Sequence, residues 1–194
     1  MSLAALIDET EVKAATTAGL SPTEASEDQY DMIKKVALAS IKFGDLSNPR
    51  TSDYTFEIDK VSQFEGKTGP YILYTRARAA SILRNHISDE IELSALTITN
   101  SYERSLAFAL LQVDDAFIEA WEKRQPSVLC DAVYEISRRF NAFYKMCPVI
   151  TEADSTIRSS RLILTSKTKT AIEKLLSALS IDFPETMERY SIDA

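Results

Sequence analysis

Between Leu129 and Cys147 the apolar residues Leu129, Ala132, Val133, Ile136, Phe140, Phe143 and Cys147 recur at three- and four-residue intervals. Only an α-helix puts that spacing on one face, because side chains three and four apart lie one above the other. Similar spacing runs through most of the chain, and four Gly and six Pro in 194 residues leave few places to interrupt it. The chain is therefore expected to be all-α. With 45% apolar residues it has ample material for a core.

Two amphipathic helices are predicted first. One covers about 3–17. The other covers about 22–43, opened by Ser21-Pro22 with Glu24 completing a capping box, and buries Ile33, Val36, Ala37, Ala39, Ser40 and Phe43. Gly, Asn-Pro and Ser-Asp then break the pattern in GDLSNPRTSDYTFEID (44–59), predicting a loop with a short extended segment at TFEID and a domain seam. Further helices are predicted over 70–86, 89–97, 100–123 with a break near Asp114, 126–146 and 154–180.

The residue inventory argues against catalysis. The single histidine, His86, lies in line with Ile72, Ala79 and Ile82 at a helix end, which suits a packed side chain better than a general base. Phosphate-loop, GxSxG and HExxH patterns are missing, and Asp114-Asp115, Glu185 and Glu188 read as solvated faces. Cys130 and Cys147 stand apart, without the His cluster that a metal site needs, and are expected to be reduced core thiols of a soluble, cytoplasmic protein. No catalytic residue, metal or cofactor is expected.

Charge is uneven. The whole chain is net −7, and residues 1–66 hold six Lys/Arg against twelve Asp/Glu. Residues 138–169 instead hold seven basic residues (Arg138, Arg139, Lys145, Arg158, Arg161, Lys167, Lys169) and two acidic ones, a local excess of five positive charges. Such a patch suits phosphate.

The segment FEGKTGPYILYTRAR (64–78) carries the most specific signal. At about 100° per residue, Ile72, Thr75, Ala79, Ile82 and Leu83 form one stripe, while Tyr71, Tyr74 and Arg78 form another, roughly a quarter turn away. Two roles fit that second stripe. Its tyrosines could be boundary residues with solvated hydroxyls, the commoner role on spacing alone. They could also be a stacking platform for unpaired RNA bases, with a guanidinium beside it. In RRFNAFYK (138–145), Arg139, Asn141 and Tyr144 can face outward from the core stripe, adding a polar and aromatic surface within the basic window.

These strings together resemble the C-terminal part of the arginyl-tRNA synthetases. The similarity is carried by KFGDLSNPRTSDYTFEID (42–59), FEGKTGPYILYTRAR (64–78), RRFNAFYKMCPVI (138–150), Arg158 with Arg161-Leu162, and IDFPETM (181–187), in the family's order and near its spacing. The initial LAALIDETEVKA is similar to the helix after the family's second ATP-binding signature loop. The resemblance implies that 1–63 are the terminal helices of the catalytic half and 64–194 an α-helical anticodon-binding domain of the DALR type. It implies arginine tRNA, through its anticodon stem-loop, as partner of a monomer, with no DNA or membrane role. ATP and arginine would be substrates of the full-length ligase, whose HIGH-type and KMSK-type motifs do not occur in this sequence. The chain is then expected to be either a cut piece, inactive by itself, or a natural stand-alone relative.

By motif, the resemblance places Tyr71, Tyr74 and Tyr144 on anticodon-loop bases, with Asn141 lining a pocket for a flipped-out base and Met187 making an apolar contact there. Arg78 would meet phosphate or pack beneath the bases, and Arg139, Arg158 and Arg161 would belong to the RNA-binding surface. Two departures from the family stand out: ERYSIDA follows the Met that usually ends the chain, and Thr186 replaces the usual Arg. A different class of role remains open: a helical protein-interaction module without RNA contact.

Overall fold

The computed structural model describes residues 2–21, 25–84 and 96–187. Eight helices occur among them: α1 (Leu3–Thr17), α2 (Glu27–Leu46), α3 (Ile58–Val61), α4 (Gly69–Arg84), α5 (Ser101–Leu111), α6 (Val113–Lys123), α7 (Ser127–Met146) and α8 (Ser155–Ala178). No strand occurs among the described residues. The all-α expectation is met.

Several boundaries differ from the sequence reading for local reasons. α2 starts at Glu27, because Ser26 and Gln29 form a complete reciprocal capping box and Glu27 and Asp28 place charge at the positive helix end. Ser21 does not open it, and residues 22–24, with the expected Glu24 cap, lie outside the described residues. α2 also continues through Gly44 to Leu46. In place of an extended TFEID, Ile58–Val61 forms one helical turn. The break between α5 and α6 falls at Gln112, two residues before Asp114. Of the helix expected over 89–97, residues 89–95 lie outside the described residues, as does His86, while Leu96 and Thr97 are not helical.

α4, α7 and α8 form the centre of the bundle. Tyr71 of α4 meets Tyr134 of α7, and Arg78 meets Tyr144 further along both helices, so α4 and α7 run the same way. After the connection over 147–154, α8 packs on both α4 and α7. One apolar core passes from Ala14 and Ala15 through Ile33, Val36 and Phe43 to Ile72, Leu73, Val133, Ile172 and Leu175. It draws on residues from both sides of the 44–59 loop, where the seam was expected. A smaller cluster of Ala79, Ile82, Leu106, Phe140, Phe143, Cys147, Val149, Leu162 and Leu164 fills the end beneath the α7–α8 turn. Both cysteines are buried, as expected of core thiols, and burial pushes the Cys130 thiol up to about 11.

Gly69 sets how closely α4 approaches α2. A Cβ there would lie 2.3 Å from the Ala39 carbonyl oxygen and 2.5 Å from its carbon. Both are backbone atoms that cannot swing aside. Gly69→Ala is expected to destabilise the chain by about 1–3 kcal/mol, the usual cost of overpacking. A denaturation midpoint equal to that of the parent chain would show that the helices do not need this approach.

Candidate nucleic-acid interface

The interface begins at the start of α4. Thr68 Oγ1 accepts from the Tyr71 N–H at 3.3 Å and donates to the Gln63 carbonyl at 2.5 Å, so it caps the helix and ties it to the preceding turn. Pro70, in the first turn, lacks an N–H where a helix has none to satisfy. This start fixes the azimuth of every later residue. Ile72, Leu73, Thr75, Ala79 and Ile82 are buried, whereas Tyr71, Tyr74 and Arg78 are half-buried along one edge.

α7 supplies the facing edge. Tyr71 lies 5.8 Å from Tyr134 between ring centroids, tilted by 56°, and Tyr74 meets Phe64 edge-on at 6.4 Å. The Arg78 guanidinium carbon lies 4.8 Å from the Tyr74 ring centroid and 4.9 Å from that of Tyr144, bridging the two helices. Arg78 Nη1 donates to Asn141 Oδ1 at 2.6 Å, and Asn141 Nδ2 donates to Thr75 Oγ1 at 2.9 Å. Tyr144 is 42% exposed, and its ring stacks on Phe140. Burial raises the Tyr71 phenol above its ordinary range, while the Asn141 amide and the Arg78 and Arg138 charges oppose the rise. The result is a half-open row of flat groups with a cation within it. That combination can stack unpaired bases and meet phosphate.

Five of the expected residues, Tyr71, Tyr74, Arg78, Asn141 and Tyr144, are brought together here. The others are not. Arg139 points to α5, donating to Glu135 at 2.6 Å and to the Ser105 carbonyl at 2.9 Å. One residue along a helix is about 100° of azimuth, enough to carry it off this face. Its neighbour Arg138 is the cation whose charge reaches Tyr71 and Tyr134, a placement legible from its spacing of four from Tyr134. Glu135, bonded by both arginines, is held down to about 2.

Arg161, expected on the RNA surface, lies away from this edge in the interior. It is 6% exposed, and its guanidinium donates to Glu103 at 2.7 Å, to the Pro148 carbonyl at 2.7 Å and to Glu152 at 2.6 Å. Arg158 turns to the same loop, donating to the Glu152 carbonyl at 2.7 Å. Met187 is 3% exposed and belongs to the main core, so the apolar surface expected of it is already covered by protein. The basic window of 138–169 is consequently divided: Arg138 stands beside Tyr71 and Tyr134, Arg139 turns to α5, Arg161 is interior, and Lys169 pairs with Glu173 on α8.

Arg76 was missed by the sequence reading. It is 2% exposed, donates to Glu173 at 2.6 Å and to the Pro184 and Glu185 carbonyls at 3.1 and 3.2 Å, and lies 4.4 Å from the Phe183 ring centroid. It anchors the segment after α8 to α4. Standing two residues from both Tyr74 and Arg78, it is rotated about 200° from each, the signal that separates it from the tyrosine edge.

Over 185 residues the chain is 36% identical to the arginine-tRNA ligase of Hyphomonas neptunium, covering 95% of this chain and 31% of that protein. Over 168 residues it is 37% identical to the arginine-tRNA ligase of Francisella tularensis subsp. novicida, covering 83% of this chain and 29% of that one. Among solved structures, the arginyl-tRNA synthetase of Thermus thermophilus matches with a TM-score of 0.86 at 30% identity, over 96% of this chain and 32% of that one. That of Plasmodium falciparum matches with a TM-score of 0.83 at 27% identity, over 96% and 34%. The chain thus spans about a third of the length of the relatives it matches. Residues 72–187, which hold the whole Tyr74–Arg78–Tyr144 arrangement, match the DALR anticodon binding domain, and the chain belongs to that family.

Proposed function

We propose that this chain is the anticodon-recognition end of an arginine-tRNA ligase, binding the anticodon loop of arginine tRNA as a cytoplasmic monomer. The observation that carries the reading is the bridge of Arg78 between the Tyr74 and Tyr144 rings, half-open to solvent on α4 and α7. Flat π faces accept any unpaired base, while a polar amide such as Asn141 beside them can read a base edge. In the whole ligase, residues 1 to about 63 would be the last helices of the catalytic half. ATP and arginine would bind in the part that this chain does not span.

No helix among the described residues is long and apolar enough to cross a membrane. The tyrosine edge is tested by substitution. Tyr74→Ala or Tyr144→Ala should weaken binding of an arginine tRNA anticodon hairpin by about 1–3 kcal/mol, roughly 5- to 150-fold, in variants that keep the parent's helical circular dichroism at the binding temperature. Equal affinity for the parent chain and both variants would remove the stacking role and leave a protein-interaction module as the better reading.

A further inference from the structure

Thr75 lies fully buried beneath the tyrosine edge, out of reach of any RNA. Its Oγ1 donates to the Tyr71 carbonyl at 2.9 Å. A hydroxyl has one hydrogen and two lone pairs, so with that hydrogen committed Oγ1 can only accept from its other neighbour. That neighbour is the Asn141 amide, whose Nδ2 is 2.9 Å away. The amide is thereby held with nitrogen inward and Oδ1 turned to Arg78, whose Nη1 donates to it at 2.6 Å. Arg78 has only donors and imposes the same orientation independently. Two constraints agree on which way this amide faces.

The two constraints separate when the site is filled. If the proposed RNA binding holds, a base stacking on Tyr74 or Tyr144 takes the space where the Arg78 guanidinium now bridges those rings, and Arg78 is released toward phosphate. The Tyr71 hydroxyl, which also hydrogen-bonds this amide, can donate or accept and so favours neither face, which leaves Thr75 to set the amide. We infer that Thr75 is a specificity-determining positioning residue, keeping the Asn141 oxygen toward the RNA so that the site presents an acceptor to a nucleobase amino group. Without its lone pair, Asn141 turns about its terminal torsion and offers either oxygen or NH2. Selection for the amino group is then lost.

The inference rests on the reading above, and one binding experiment separates the two. Hairpins carrying the arginine tRNA anticodon loop are compared with versions in which one loop base at a time lacks its exocyclic amino group: inosine for guanosine, nebularine for adenosine, zebularine for cytidine. They are titrated against the parent 194-residue chain, Thr75→Val, which keeps the shape without the lone pair, and Thr75→Ser, which keeps the hydroxyl. For the parent chain and Thr75→Ser, one amino deletion should cost about tenfold, within the range of a specific base contact. In Thr75→Val the same deletion should cost less than about threefold. Should Thr75→Val not fold, Thr75→Ala removes the same lone pair with a helix-favouring residue. The inference is overturned if the variant without a hydroxyl keeps the full penalty, or if no amino deletion matters to a parent chain that still binds its hairpin. A parent chain that binds no hairpin at all would overturn the RNA reading itself.

Discussion

Arg161→Met should lower the folding stability by about 3–5 kcal/mol, the cost of breaking a buried ion pair from one side. Methionine keeps much of the buried stem, so the loss is chiefly that of the guanidinium. Glu103, also inaccessible to solvent, would keep only the Thr99 N–H and hydroxyl, at 2.6 and 2.9 Å. The Pro148 carbonyl would lose its Arg161 donor, and the Glu152 carboxylate would keep only the Asp154 N–H at 3.1 Å. Burial alone would raise the Glu103 carboxyl, but the Thr99 N–H and Arg161 outweigh it and hold the group below its ordinary value.

The sign of the pH dependence follows. In the parent chain the depressed folded value contributes stability that is present above the unfolded value of about 4.3 and lost as pH falls through the folded one. In Arg161→Met the Arg161 share of that contribution is gone while the burial remains, so the deficit should be largest near neutral pH and shrink as the solution is acidified toward that value. Denaturant melts at pH 7 and pH 4.5 check this. Restoring Glu103→Gln in the same chain should recover part of the loss. If Arg161 instead served RNA, the variant would melt like the parent and bind the hairpin less tightly.

Arg76→Met is expected to cost about 3 kcal/mol. Glu173 would still be paired with Lys169 at 3.0 Å, which moderates the loss. The Pro184 and Glu185 carbonyls would each lose the Arg76 donor, and Phe183 the cation against its ring. Because these groups lie on the segment after α8, the damage should be local as well as global: amide exchange at Phe183 and Glu185–Met187 should accelerate more than at Ile172–Leu176. Uniform acceleration along the chain would show that Arg76 acts only through the common core.

What could be read from the sequence follows the range of the forces involved. α7 was legible because its burial pattern repeats within one helix, and the start of α4 because Thr68, Gly69 and Pro70 are adjacent signals. The second helix start was misread because Ser21-x-x-Glu24 and Ser26-x-x-Gln29 both satisfy the capping pattern, and only the fold selects between them. Arg161 could not be distinguished from a surface arginine, since Glu103, the more deeply buried of the two carboxylates that hold it, is 58 residues earlier in the chain. The choice between Arg138 and Arg139 depends on a single step of helical azimuth. The meeting of Thr75 with Asn141 is set by the packing of α4 on α7, which no local pattern in either helix encodes.

The central claim is that the α4 and α7 edge binds the anticodon loop of arginine tRNA, and equilibrium binding tests it most directly. Fluorescence anisotropy with the 194-residue chain would compare the arginine tRNA anticodon hairpin with one carrying a non-cognate anticodon on the same stem. The expected result is preferential binding of the first, with affinity falling as salt rises, and a preference abolished by Tyr74→Ala combined with Tyr144→Ala. Equal binding of the two hairpins, or a preference that survives loss of both rings, would contradict it.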